Sequence, residues 1–227
     1  MPLHPLRPDQ TGQFLELGYV LASGLIPKEA AAKADRAAFR CNGFEPGDPT
    51  TWAQPPKGEF FDDPDLMALY TDALLAAGAQ LTSNPYLSTQ LPRPESAFVI
   101  KILPAPGPWK HVNAHIDGSY ENPPLLSFPR QWDLFAMIYL HDIEPQSGGT
   151  VLWPRTHRFA EALIRSQPTR FKFLRELRPL VEELAQKSEP VELQPKAGDV
   201  LFFHPWTVHS KPMNCGTRPR FAMNCKW

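Results

Sequence analysis

Apolar residues in the first part of the chain recur at helical spacing, and after Pro94 they gather into short runs bounded by proline and glycine. A short apolar strand is expected at Gly18–Leu21. Pro27-Lys28-Glu29 then opens an alanine-rich helix to about Arg40, since proline followed by an acid suits a first helical turn. From Cys41 to Phe61 no period is visible and glycine and proline are frequent, which predicts a long loop. Asp63, ahead of Pro64, caps a second predicted helix, with Leu66, Leu69, Tyr70, Ala73, Leu74, Ala77 and Leu81 on one stripe.

The β-type runs are Ala97–Leu103, Val112–Ile116, Leu134–His141, Thr150–Trp153, Val191–Leu193, Val200–His204 and Arg220–Lys226. Several short strands with turn signals between them predict an all-β barrel or sandwich. A helical insertion is expected over residues 159–187, broken by Pro168 and Pro179. Its stripe of Phe171, Leu174, Leu177, Val181 and Leu184 reads as packing, with a lid over a site as the sharper alternative. The expected organisation is one domain over residues 1–227, with helices and a loop in 1–95 and the barrel in 96–227.

Composition narrows this picture little. The chain has 227 residues, enough for one large core and too few for two. A formal net charge of −1 gives no reason to expect nucleic acid or a membrane surface as partner. The 27 prolines far exceed the usual share of about 5% and mark ordered loops between strands. Cys41, Cys215 and Cys225 are odd in number and form no CxxC pair, which points to a reducing compartment without a zinc–thiolate site. With no signal peptide and no apolar span of about 20 residues, a soluble cytoplasmic protein is expected.

Two stretches carry the chemistry. Residues i and i+2 of a strand point to one side, so His115 and Asp117 project together while Ile116 faces away. The second runs from Gly198-Asp199 through an apolar strand to His209 and Arg220. Two histidines and one carboxylate are the protein ligands of a facial-triad iron(II) site, which leaves open positions. Arginine offers a planar cationic fork suited to a carboxylate. Together they suggest an oxygenase with a 2-oxo acid as co-substrate. No Gly-x-Ser-x-Gly turn supports a hydrolase.

Four stretches, in order, resemble the phytanoyl-CoA dioxygenase family of iron(II)/2-oxoglutarate oxygenases. They are Gly18–Leu21 with the helix after it, His115-Ile116-Asp117, Ser147–His157, and Gly198–Phe203 through His209 to Arg220. The resemblance implies a double-stranded β-helix, a jelly-roll or cupin-like barrel with the metal at its open end. It implies iron(II) on His115, Asp117 and His209, and Arg220 on the distal carboxylate of 2-oxoglutarate. With O2, such an enzyme hydroxylates a C–H bond and releases succinate and CO2. The carboxylate at Asp117 favours hydroxylation over halogenation, because halogenating relatives have a small residue there. The chain departs from the pattern at Ile116, where glutamine is frequent. It departs again at Ser210-Lys211-Pro212, where small residues are frequent, and at Arg155, where glycine is usual.

Several roles stay open on sequence. Arg218 competes with Arg220 as the anchor, and His204 with His209 as a ligand. His111 and Asn113 share strand parity with His115 and are read as supporting a ligand or contacting substrate, with ordinary structural hydrogen bonding the equal alternative. Lys101 faces inward if Val99 does, and a buried lysine needs an anion. Lys101, Asn113, Thr150 and Lys211 are therefore candidate co-substrate contacts beside Arg220, with Asn224 a weaker one; His141 and His157 are read as structural. Trp52, Phe60, Phe61, Tyr120, Leu125, Leu126, Phe128, Arg130, Lys110 and Trp206 are expected around the mouth, which suits a small or medium organic substrate unless the aromatics merely bury the loops. The other function classes are a peptide side-chain hydroxylase and a barrel whose metal site is vestigial.

Overall fold

The computed structural model describes residues 5–53, 57–82 and 91–227. The order is α1 (Pro8–Leu17), β1 (Tyr19–Ala22), α2 (Lys28–Asn42), α3 (Pro49–Trp52), β2 (Phe60–Phe61), α4 (Pro64–Met67) and α5 (Asp72–Leu81). There follow β3 (Ala97–Ile102), β4 (His111–His115), β5 (Phe135–Tyr139), β6 (Val151–Leu152), α6 (Thr156–Ser166), α7 (Val181–Ala185), β7 (Val191–Glu192), β8 (Val200–Phe203), β9 (His209–Pro212) and β10 (Arg220–Lys226). The strands form two antiparallel sheets, β1-β8-β5-β10-β3-β2 and β4-β9-β6-β7. This is the expected mainly-β jelly roll with flanking helices.

The alternation of side chains divides the interior into three layers. Val20, Ala97, Val99, Ala136, Ile138, Val200, Phe202, Phe221 and Met223 leave the larger sheet on its outer face and pack on Ala34, Ala38, Leu69 and Leu74 of the helical region. Tyr19, Phe135, Met137, Tyr139, Leu201, Phe203 and Ala222 point the other way and meet Leu152 and Leu193 between the sheets. Ile116, Val151, Trp153 and Val208 cover the far side of the smaller sheet against the insertion. There Phe171, Leu174, Leu177, Val181 and Leu184 are all buried, so the stripe is packing.

Where elements differ from expectation, a local cause is visible. α1 was not anticipated: among its residues only Phe14 is buried, so its amphipathic signal is sparse, and Pro8 starts it. Asp63 does cap, its side chain accepting from Asp65 N, but the helix stops after one turn. Thr71 then caps α5 afresh, accepting from Leu74 N at 3.1 Å. The loop predicted for 41–61 contains the short α3 and all of β2; its residues 54–56 lie outside the described residues. The insertion is α6, two 3-10 turns and α7 instead of one broken helix. β9 follows a turn at Pro205 and was not foreseen.

Two turns hold the framework in register. Gly198, ahead of β8, has φ +86° and its Cα lies so close to the Ile26 carbonyl that a Cβ would stand 2.1 Å from that oxygen. The Asp199 carboxylate then accepts from Gly24 N at 2.8 Å and Lys196 N at 2.9 Å, tying the turn to the end of β1. At the entry to α6, Arg155 occupies the left-handed region at φ +67°. That backbone explains why glycine would be the natural residue at this position.

Candidate metal centre

Each side chain of the triad is placed by strand ends. His115 closes β4 and Asp117 follows it; His209 opens β9, paired directly opposite His115. One ligand atom from each of the three lies within 4.8 Å of the others, and the two imidazole centroids are 4.4 Å apart. Asp117 Oδ1 is 3.3 Å from His115 Nε2 and 3.7 Å from His209 Nε2.

The backbone selects the tautomers. His115 Nδ1 is 2.6 Å from the Asn113 carbonyl and His209 Nδ1 is 3.0 Å from the Thr207 carbonyl. A carbonyl oxygen only accepts, so Nδ1 carries a proton in both rings and Nε2 is the nitrogen left to bind a metal. This outer-shell arrangement is the one metal-binding histidines use. Burial pushes the His209 imidazole down to about 4, only partly offset by Asp117, so it is neutral at physiological pH. Burial opposes a charge on His115 too, but the Asp117 carboxylate and the Asn113 carbonyl outweigh it and raise its pKa. Burial likewise disfavours the Asp117 anion, yet His115, His209 and Lys226 more than compensate and hold its carboxyl well below the usual range. Two imidazole lone pairs and one carboxylate oxygen converge on a single point. This donor set fits a divalent metal of the iron type.

A cavity of about 240 Å³ opens beside the triad, lined by Ile100, Met137, Thr150, Phe203, Arg220 and Asn224 among others. Arg220 is fully buried within it. Its Nε donates to the Gly148 carbonyl at 2.8 Å, its guanidinium lies 5.9 Å from the Tyr139 ring centroid, and no carboxylate of the described residues pairs with it. Burial pushes its pKa down, and Tyr139 opposes that shift only in part. A buried cation without a counter-ion is costly, and the cost is relieved if a ligand carboxylate enters the cavity. The residues therefore fit 2-oxoglutarate as well as the metal.

The remaining candidates separate by geometry. Thr150 lines the cavity, its hydroxyl accepting from Tyr139 Oη at 2.7 Å. Lys211 reaches it from an exposed position on β9. Lys101 does not reach it: Val99 faces the helical layer, Lys101 shares that parity, and its Nζ donates to the Gly58 carbonyl at 2.7 Å. Asn113 is exposed, with φ +54°, at an irregularity in the β4–β9 pairing between Val112 and His115. The extra residue breaks the alternation assumed from sequence. His111 accordingly sits edge-on to Trp153 at 5.0 Å, outside the cavity lining. Arg218 is claimed by Asp35 through two 2.7 Å contacts, and His141 by the same carboxylate at 3.1 Å. His204 lies 2.8 Å from Arg130 and His157 3.3 Å from the Leu15 carbonyl, both away from the triad.

Lys226 and Glu59 also line the cavity and were missed. Lys226 shares the parity of Arg220 on β10, which was a usable signal; Glu59 stands in a stretch without periodicity, which offered none. Around the mouth, Phe60, Tyr120, Leu126 and Phe128 are exposed, whereas Trp52 and Trp206 are buried. No helix among the described residues is long and apolar enough to cross a membrane.

No curated protein sequence matches the chain. Solved structures do. SnoK, a non-haem α-ketoglutarate-dependent carbocyclase from nogalamycin biosynthesis, superposes with TM-score 0.62 at 19% identity, covering 99% of this chain and 85% of its own. EctD from S. alaskensis in its apo form gives 0.65 at 16% identity, over 97% and 76% of the two chains. HygX from Streptomyces hygroscopicus, with nickel and 2-oxoglutarate bound, gives 0.60 at 17% identity over 96% and 85%. These likenesses establish the shared fold. The family model for phytanoyl-CoA dioxygenase matches residues 16–222, nearly the whole sequence. The chain belongs to the phytanoyl-CoA dioxygenase family of iron(II)/2-oxoglutarate-dependent oxygenases.

Proposed function

We propose that His115, Asp117 and His209 hold iron(II), that Arg220 anchors the distal carboxylate of 2-oxoglutarate, and that the enzyme hydroxylates a small or medium organic molecule. One observation carries this reading. A fully buried arginine with no carboxylate partner among the described residues shares a cavity with three convergent metal-ligand atoms. When bound, iron(II) with 2-oxoglutarate and O2 supplies the oxidising chemistry, in which one oxygen atom ends in the hydroxyl group and the other in succinate, with loss of CO2.

The chain's own residues bind, orient and exclude water. Arg220, held by the Gly148 carbonyl, presents its remaining N–H groups to the co-substrate, and Thr150 and Lys211 flank it. Ile100, Met137 and Phe203 keep the cavity wall apolar. The substrate approaches from the other end of β10, where Phe98, Asn224 and Lys226 line both this cavity and the neighbouring one beneath Phe60. Three free cysteines support a reducing, cytoplasmic setting.

Anaerobic titration with Fe(II) and 2-oxoglutarate tests the reading by the metal-to-ligand charge-transfer band. The wild type is expected to form the band, His115→Ala to lose it, and Arg220→Ala to require far more co-substrate. Absence of the band in the wild type, or a normal band in both variants, overturns the assignment. Comparing small molecules with peptides as stimulants of succinate release separates the proposed substrate class from a peptide side chain.

A further inference from the structure

Asp117 uses its two oxygens differently. Oδ1 faces the Nε2 atoms of both histidines, whereas Oδ2 lies 2.9 Å from Lys226 Nζ. The lysine side chain is about one-quarter exposed and ends β10. Its ammonium lies 4.8 Å from the Trp132 ring centroid and 5.1 Å from that of Phe135, and these faces fix its direction. Two aromatic rings and a strand terminus therefore aim one cation at the carboxylate oxygen turned away from the histidines.

We propose that Lys226 is a positioning residue that restricts Asp117 to a single metal-facing oxygen. A free carboxylate can chelate a metal through both oxygens and so take an additional coordination position. A charge-assisted hydrogen bond to Oδ2 opposes that rotation. The position kept free is one that 2-oxoglutarate needs. The inference rests on the iron reading above and concerns a residue outside the metal-ligand set. The bland competitor is that Lys226 neutralises Asp117 only while the metal is absent. The two differ in consequence: a mere counter-ion affects metal affinity alone, whereas a positioning lysine affects co-substrate binding after the metal is saturated.

The test compares wild type, Lys226→Met and Lys226→Arg. Each is titrated first with Co(II) under nitrogen, then with 2-oxoglutarate in the presence of saturating Fe(II), and the melting temperature of each apoprotein is recorded. In Lys226→Met the metal is expected to bind as tightly as in wild type or more tightly. Its 2-oxoglutarate affinity should fall roughly tenfold to a hundredfold, the scale of outer-shell substitutions, and the charge-transfer band should shift in energy. Lys226→Arg should recover most of the co-substrate affinity. Superimposable 2-oxoglutarate titrations for wild type and Lys226→Met overturn the proposal, whatever the metal affinity. Equal impairment by Met and Arg also overturns it, by reducing the lysine to packing. A wild type that forms no band fails at the earlier step and refutes the iron reading instead.

Discussion

Arg220 shows how a binding residue can be a liability to the fold that houses it. Its guanidinium is buried and, among the described residues, meets one carbonyl hydrogen bond, a distant sulfur and an aromatic ring. Removing such a charge from an interior is often neutral or stabilising. Arg220→Met should therefore leave the apoprotein's urea midpoint unchanged or raise it, while 2-oxoglutarate binding weakens by about two orders of magnitude, equivalent to roughly 3 kcal/mol for a lost charge-assisted pair. Equilibrium unfolding and co-substrate titration on the same samples check both halves. A variant that loses stability and binding together would assign the arginine to packing.

Backbone conformation sets the predictions for individual elements. Gly198→Ala meets two penalties, a positive φ and a Cβ pressed on the Ile26 carbonyl, so β1 and β8 must shift apart. A loss above about 2 kcal/mol is expected from unfolding curves. Arg155→Gly has the opposite sign: it relieves the left-handed residue before α6 at the expense of an exposed ion pair with Glu16. A gain of up to about 1 kcal/mol should follow, because exposed pairs contribute little.

The same element scale explains what the sequence disclosed. Strands such as β5, β8 and β10 were readable as largely apolar runs, because both faces are buried and turns bound them. Strand parity suggested the pair His115 and Asp117, and the resemblance added His209; the fold brings the three together. β9 was hidden: Lys211 and Pro212 carry no strand signal, and the pairing with β4 makes the strand. Asn113 was misplaced because an irregularity in that pairing is invisible to a strict period of two. Lys101 failed for another reason. Parity with Val99 held, but the larger sheet is covered on both faces, and the side that receives Val99 is the helical layer.

At the scale of the whole molecule, burial of histidines shapes the response to pH. His141, His157, His204 and His209 all have pKa values lowered by burial, against a raised value for His115 alone. A histidine depressed in the folded state contributes stability that is complete above its unfolded value near 6.5 and is lost as pH falls through its folded value. The apoprotein should therefore weaken progressively below about pH 6.5, before general carboxylate protonation begins. Urea midpoints at pH 7.5, 6 and 5 measure this, and His141→Gln should flatten the slope.

The two sheets have separate outer supports, the helical region behind the larger one and the insertion behind the smaller one. His115 and His209 belong to the smaller sheet, Arg220 and Lys226 to the larger. Metal and co-substrate would join halves that are otherwise backed independently. In amide hydrogen exchange the apoprotein should then show two populations of protected amides, one for each backed sheet, that open with different free energies. Adding Fe(II) and 2-oxoglutarate under nitrogen should bring their opening energies together, so that the loaded protein exchanges as one cooperative body.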